Sequence, residues 1–179
     1  DTNNVNAARA VIIRGTGTVT LADNAGNRVL AKDGVVNTIV GGSGADTIIG
    51  STGSDSFTGN AGADVFEFIE ADFVAGDTIA GGTGTDTLQF TDAATVISAE
   101  LANKTGIDVI QLDTDNNSLI LTDAFVTSAD AISNTIELSH STNTITSLDT
   151  SAVSTGTVLI GGTGTVTLAD GVNNKVTSK

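Results

Sequence analysis

The sequence predicts an all-β fold, a right-handed parallel β-solenoid of short coils, and three observations predict it. Six consecutive nine-residue blocks run in one frame from Arg14 to Glu67 and place Leu21, Leu30, Ile39, Ile48, Phe57 and Phe66 at the same eighth position. The apolar residues are mostly Val, Ile, Leu and Ala, with six Phe and no Trp, Tyr or Met, which suits a thin, repetitive core. The absence of Pro, together with 21 Gly and abundant Thr, Asn and Asp, favours short strands joined by Gly/Asx turns. No segment has the run of good helix formers that a long helix wants.

At 179 residues the chain suits one domain, residues 1–179, and its elements follow from the frame. Each block supplies a Gly-rich turn and then a short strand whose eighth residue faces inward, with its neighbours facing out. Two blocks close one coil, so residues 18 apart stack at about 4.8 Å. Wound this way throughout, about ten coils would form a rod on the order of 45–50 Å long.

Residues 14–67 are the regular part. Their sixth positions read Val19, Arg28, Asn37, Asp46, Asp55 and Asp64, and their fourth positions Gly17, Gly26, Val35, Gly44, Gly53 and Gly62. After Glu67 the frame slips by four, and residues 72–111 carry degenerate repeats. DFVAGDTIA (Asp72 to Ala80) and GGTGTDTLQ (Gly81 to Gln89) put Asp77 and Asp86 at the sixth position, with Ile79 and Leu88 at the eighth. Ala94 to Lys104 is a short helix or an excursion from the roll, after which NKTGIDVIQ (Asn103 to Gln111) places Asp108 at the sixth position. Residues 112–157 read as irregular coils in which Asn134 and Asn143 replace Asp.

Residues 158–178 form a terminal coil that repeats residues 11–31. VIIRGTGTVTLAD (Val11 to Asp23) matches VLIGGTGTVTLAD (Val158 to Asp170) at 11 of 13 positions. Solenoid ends normally differ, because atypical polar residues cap the open core and strand edge. Matching ends predict continuation, either as one period of a longer array or as subunits stacked end to end.

The net charge of −14, from 21 acidic against seven basic residues, makes nucleic acid and anionic membrane poor partners and a cation the natural counter-charge. With no Cys, disulfides, thiolate chemistry and Cys-type zinc sites are excluded. No window holds about 18 uninterrupted apolar residues, so no membrane-inserted helix is expected. The chain opens at Asp1 and has no Met, which predicts a processed product or an excerpt, and no secretory signal peptide is visible.

The blocks GGSGADTII (Gly41 to Ile49), GSTGSDSFT (Gly50 to Thr58) and GNAGADVFE (Gly59 to Glu67) suit a hard cation. Calcium takes roughly 6–8 oxygen ligands from carboxylates and carbonyls, and glycines let successive carbonyls face one side of a tight turn. Carbonyls of Gly41 and Ser43 with the Asp46 carboxylate form half a cage, which Asn60, Gly62 and Asp64 complete. On the opposite edge Asn37, Gly53 and Asp55 offer a poorer set. Asp77, Asp86 and Asp108 extend the pattern, with carbonyls of Gly81, Thr83 and Gly84 near Asp86. A lone Gly-x-Gly-x-Asp would more simply be an Asx turn, which is the reading for Asp23 and Asp170. The GTGT segments lack the Lys and following helix of a phosphate loop.

These blocks, with GGTGTDTLQF (Gly81 to Phe90), resemble the RTX (repeats-in-toxin) family, whose repeat is G-G-x-G-x-D-x-U-x with U a large apolar residue. The resemblance implies a calcium-binding parallel β-roll, type I export from a Gram-negative cell, and folding outside it where calcium is abundant. The family spans toxins, proteases, lipases, adhesins and S-layer proteins. The chain departs from the pattern in its short tandem, in sixth positions that lack Asp, and in a Lys175 to Lys179 terminus with no recognisable secretion signal.

No enzyme is expected. His140 is the sole histidine, among Ser139, Ser141 and Thr142 in what reads as an exposed loop, and no acidic pair stands in an apolar setting that would raise its pKa. The expected function is a secreted structural surface protein, an S-layer, filament or adhesin module, whose partners are copies of itself and surface polysaccharide. The alternative is the calcium-dependent export and folding domain of a secreted enzyme or toxin. A carbohydrate- or ice-binding solenoid would want unbroken Thr rows, which Asp interrupts.

Overall fold

The computed structural model describes residues 10–14, 16–23, 26–114, 116–129, 135–140, 145–161, 165–168 and 177–178. Its first strands are β1 (Ala10–Ile12), β2 (Gly17–Thr20), β3 (Arg28–Leu30), β4 (Asn37–Val40), β5 (Thr47–Ile49), β6 (Ser56–Ala61), β7 (Val65–Phe68), β8 (Thr78–Thr83) and β9 (Thr87–Phe90). They continue as β10 (Thr95–Val96), β11 (Lys104–Thr105), β12 (Val109–Leu112), β13 (Asn117–Thr122), β14 (Thr135–His140), β15 (Ile145–Ala152), β16 (Thr157–Gly161), β17 (Val166–Leu168) and β18 (Thr177–Ser178).

Successive strands alternate between two faces, except that β10 and β11 both lie off the large face between β9 and β12, which makes a parallel β-solenoid. One face is a nine-stranded sheet in the order β1-β3-β5-β7-β9-β12-β14-β16-β18. The opposite face is split between β11-β8-β6-β4-β2 and β10-β13-β15-β17. Residue 47 pairs with 65, 65 with 87, 87 with 109, 109 with 137, 137 with 159 and 159 with 177, so the coil lengthens from 18 residues to 22 and then 28 before shortening through 22 to 18. The longer coils are why the large face holds nine strands among the described residues where an unbroken 18-residue period predicts about ten.

Inward residues stack in columns. On the large face Val29, Ile48, Phe66, Leu88, Ile110 and Leu138 lie in register and are buried. On the other face Ile39, Phe57 and Ile79 do the same, and Val96, Leu119 and Leu148 continue beyond them. The nine-residue frame holds from Asn37 onward but slips in the first two blocks. Val29 pairs with Ile48 and Val19 with Ile39, so Val29 and Val19, not Leu30 and Leu21, occupy those columns. Arg28 consequently faces out and pairs with Glu67 at 3.1 Å, an exposed contact of small energetic weight.

The four-residue slip after Glu67 is a single 3₁₀ turn, Glu70–Asp72, that turns Phe73 inward. Phe73 meets Phe68 edge-on at 5.3 Å and Phe90 edge-on at 5.1 Å. The segment Ala94 to Lys104 is an excursion without a helix. Successive turns close it, with the amides of Glu100, Ala102 and Lys104 donating to the carbonyls of Ile97, Ala99 and Leu101. Its ends are already committed to strands of different sheets, β10 and β11, which leaves too few residues for a stable helix.

A four-residue helix, α1 (Asp123–Val126), sits instead in the 28-residue coil, with the Thr122 hydroxyl accepting from the Phe125 amide. The Asp123 carboxylate accepts from the amides and hydroxyls of Ser154 and Thr155. The Ser154 hydroxyl and those further donors hold it well below the usual carboxylate range. His140 ends strand β14 and is not in a loop. Asn134, Asn143 and Asp170 lie outside the described residues. Among the described residues no helix is long and apolar enough to cross a membrane.

Candidate metal centre

Turns between the faces bring the sixth-position residues into two ladders, one along each edge of the roll. On the first edge the Asp46 amide donates to Asp64 Oδ1 at 2.7 Å, the Asp64 amide to Asp86 Oδ1 at 2.8 Å, and the Asp86 amide to Asp108 Oδ2 at 2.9 Å. The ladder begins one step earlier, at Asn27, whose amide and Nδ2 both donate to Asp46 Oδ1 at 2.8 Å. On the second edge the Asn37 amide donates to Asp55 Oδ1 and the Asp55 amide to Asp77 Oδ1, each at 2.8 Å.

Each carboxylate on the first edge thus uses one oxygen to hold the adjacent coil. In Asp46, Asp64 and Asp86 the other oxygen points toward the turn. Asp46 Oδ2 accepts from the Gly42 amide at 3.0 Å, whereas Asp64 Oδ2 is buried with no hydrogen-bond partner among the described residues. Asp64 is 0 % exposed, so bulk solvent does not reach that oxygen. Burial, which outweighs the hydrogen bond from the Asp46 amide, raises its pKa to about 6, and the neighbouring Asp46 charge adds to the rise. Above that pKa this is a desolvated carboxylate oxygen that lacks a counter-charge among the described residues.

The surroundings of that oxygen are main-chain oxygens brought in by glycine. A side chain at Gly59 would collide with both Asp64 Oδ2 and the Gly81 carbonyl, so the two oxygens converge on one point. The same arrangement recurs one coil to either side. At Gly41 the atoms met are the Gly59 carbonyl and Asp46 Oδ2, and at Gly81 they are the Gly106 carbonyl and Asp86 Oδ2. At Gly62 the backbone φ of +131° and the close approach of the Gly44 carbonyl exclude any side chain.

Among the described residues no three His, Cys, Asp or Glu side chains cluster as a metal-type group. One carboxylate per coil is what the ladder supplies, so a cation here must complete its shell from carbonyls. The donors are all hard oxygens, and the orphaned Asp64 oxygen supplies the charge, a set that fits calcium. When bound, the ion supplies positive charge to a desolvated carboxylate.

The expected ligands are distributed as follows. Asp46, Asp64, Asp86, Asp108, Gly41, Asn60, Gly62, Gly81 and Thr83 share the first edge or its turns. The Gly41 carbonyl accepts from Asn60 Nδ2 at 2.6 Å, the Thr83 carbonyl accepts from the Gly62 amide at 3.0 Å, and Ser43 is exposed. Asn37, Gly53, Asp55 and Asp77 are on the second edge, and there the carboxylates are satisfied by protein donors. Asp55 Oδ1 also accepts from Asn37 Nδ2 at 2.8 Å, and Asp55 Oδ2 accepts from the Ser51 hydroxyl at 3.0 Å. Asp77 Oδ2 accepts from the Val74 amide at 2.8 Å.

The frame alone did not mark the Gly59 and Gly106 carbonyls, Asn27 or Ser51. The first two could have been found from the rule that each block's first glycine stacks under the next coil's carbonyl.

The RTX calcium-binding nonapeptide repeat matches the chain in four copies, over residues 35–66 and 75–89. No curated protein and no solved structure matches the chain. The matched residues contain the second-edge ladder from Asn37 to Asp77 and the first-edge positions Asp46, Asp64 and Asp86. The stretch is therefore built of RTX repeats, and the chain is a calcium-binding β-roll protein.

Proposed function

We propose that this calcium-binding β-roll is a structural module of a bacterial surface, an S-layer, extracellular filament or adhesin element, that assembles end to end with copies of itself. The observation that carries the reading is the near-identity of residues 11–23 and 158–170. Its structural support is that β1 and β18 are the outermost described strands of the large sheet, and that β2 and β17 each end one of the two smaller sheets, whose other ends are β11 and β10. Parallel strand edges of this kind pair with the opposite end of a second copy, a heterologous contact that propagates. An acidic surface keeps such copies soluble until calcium neutralises part of the charge.

The proposal includes export from a Gram-negative cell by a type I system, with calcium met outside. It assigns the chain no catalysis and no nucleic-acid partner, and leaves surface polysaccharide as a partner for the exposed faces. Electron microscopy and circular dichroism of the purified chain, with calcium and then with excess EGTA, test it. Filaments or lattices that dissolve on chelation are the expected result. A calcium-loaded chain that stays monomeric at every concentration would reject assembly and favour a calcium-dependent export and folding domain of a secreted enzyme or toxin.

A further inference from the structure

The second edge holds a cation of its own. In the column Ile39, Phe57, Ile79, the next place is taken by Lys104, which pairs with Ile79 across β11 and β8 and is 1 % exposed. Its stem lies in the core, and its Nζ reaches back to the turn before β8. There it donates to the carbonyls of Val74 and Asp77, each at 2.8 Å. The Phe73 ring covers the ammonium with its centroid 4.8 Å away.

We propose that the Lys104 ammonium is a resident, tethered cation that closes the second edge at the Asp77 turn and confines exchangeable calcium to the first edge. The carbonyls of a Gly/Asx turn are the groups that a metal takes in such a roll, and here an ammonium takes them. Both Asp77 oxygens and both Asp55 oxygens have protein donors, so no carboxylate on this edge is left as Asp64 Oδ2 is left. The ammonium also balances the Asp77 charge within the core. A chelator removes calcium but cannot remove Lys104. The roll therefore has one edge whose order depends on calcium and one whose order does not, and the second serves as the template on which the first closes.

The inference rests on calcium binding at the first edge, and the two are tested separately by hydrogen exchange on the full chain and by calcium titration. In EGTA the Asp46 and Asp64 amides are expected to exchange about tenfold faster than with calcium, while the Asp55 and Val74 amides keep their protection. Equal acceleration on both edges would overturn the proposal. Asp77→Asn should leave the number of calcium ions bound unchanged, whereas Asp64→Asn should lower it. Loss of an ion from Asp77→Asn would overturn the role of Lys104. Loss from neither variant would overturn calcium at the first edge. Lys104→Gln should cost the Asp55 and Val74 amides about tenfold in protection even with calcium present; unchanged protection there would also reject the assignment.

Discussion

Asp64→Asn is expected to stabilise the chelated protein at pH 7 and to destabilise the calcium-loaded one. The Asn side chain keeps an oxygen for the Asp46 amide and places its NH₂ toward the Gly81 carbonyl, where the carboxylate has a bare, buried oxygen. In EGTA the wild-type carboxyl has a folded pKa of about 6 against an ordinary value of 3.8. A folded pKa above the unfolded one means that the folded state binds more protons between those values. The associated stability is complete below pH of roughly 4 and is lost as pH rises through about 6. By pH 7 the loss amounts to about 3 kcal/mol.

The variant does not suffer that loss, so in EGTA it should exceed wild type by on the order of 1–3 kcal/mol at pH 7 and lose its advantage near pH 4. With calcium at roughly a hundred times its Kd, wild type gains about 3 kcal/mol that the variant forgoes, and the order reverses. Denaturant melts of both proteins in calcium and in EGTA at the two pH values read all four terms. A chelated Asp64→Asn that is less stable than wild type at pH 7 would show that the buried oxygen carries no such cost.

Phe68→Ala should destabilise the protein by about 3–5 kcal/mol, equally with and without calcium. Phe68 is buried, touches Phe57 at 6.1 Å and Phe73 at 5.3 Å between ring centroids, and fills the space over Gly50, where a side chain would strike its ring. Phe73 in turn supports Phe90 and covers the Lys104 ammonium. Removing the ring leaves a cavity that parallel coils, pinned by their ladders, cannot collapse into. The same melts provide the measurement. A loss confined to the chelated protein, or one below about 1 kcal/mol, would mean that this aromatic cluster is not a keystone of the core.

What the sequence made legible was the part of the chain in which spacing alone determines position. Once Asp46 and Asp64 are 18 residues apart in a Gly-turn frame, parallel stacking puts them on one edge, and Asp86 and Asp108 follow because each slip adds whole residues between strands that then resume register. The first two blocks were misplaced because a period read from Leu21 and Leu30 is blind to one- and two-residue differences in turn length. Pairing Arg28 with Thr47 makes Asn27 the first rung of the ladder.

Lys104 was invisible for a related reason. Its phase depends on how the excursion from Ala94 onward folds, and its fitness for a core position depends on carbonyls 27 and 30 residues away. No local pattern signals a buried lysine whose partners are main-chain atoms. The contrast between the edges was likewise hidden. Asp55 and Asp64 share a block position, and the Ser51 hydroxyl and the Asn37 side-chain Nδ2 distinguish the satisfied carboxylate from the orphaned one.

The central claim is that a cation belongs beside the Asp64 carboxylate and the Gly81 carbonyl. A calcium-loaded crystal read by anomalous difference density tests it most directly. A peak is expected on the first edge at the Asp64 Oδ2 and Gly81 oxygens and none among Asp55, Asp77 and Lys104. Density at the Asp77 turn with the Asp64 oxygen bare would contradict it.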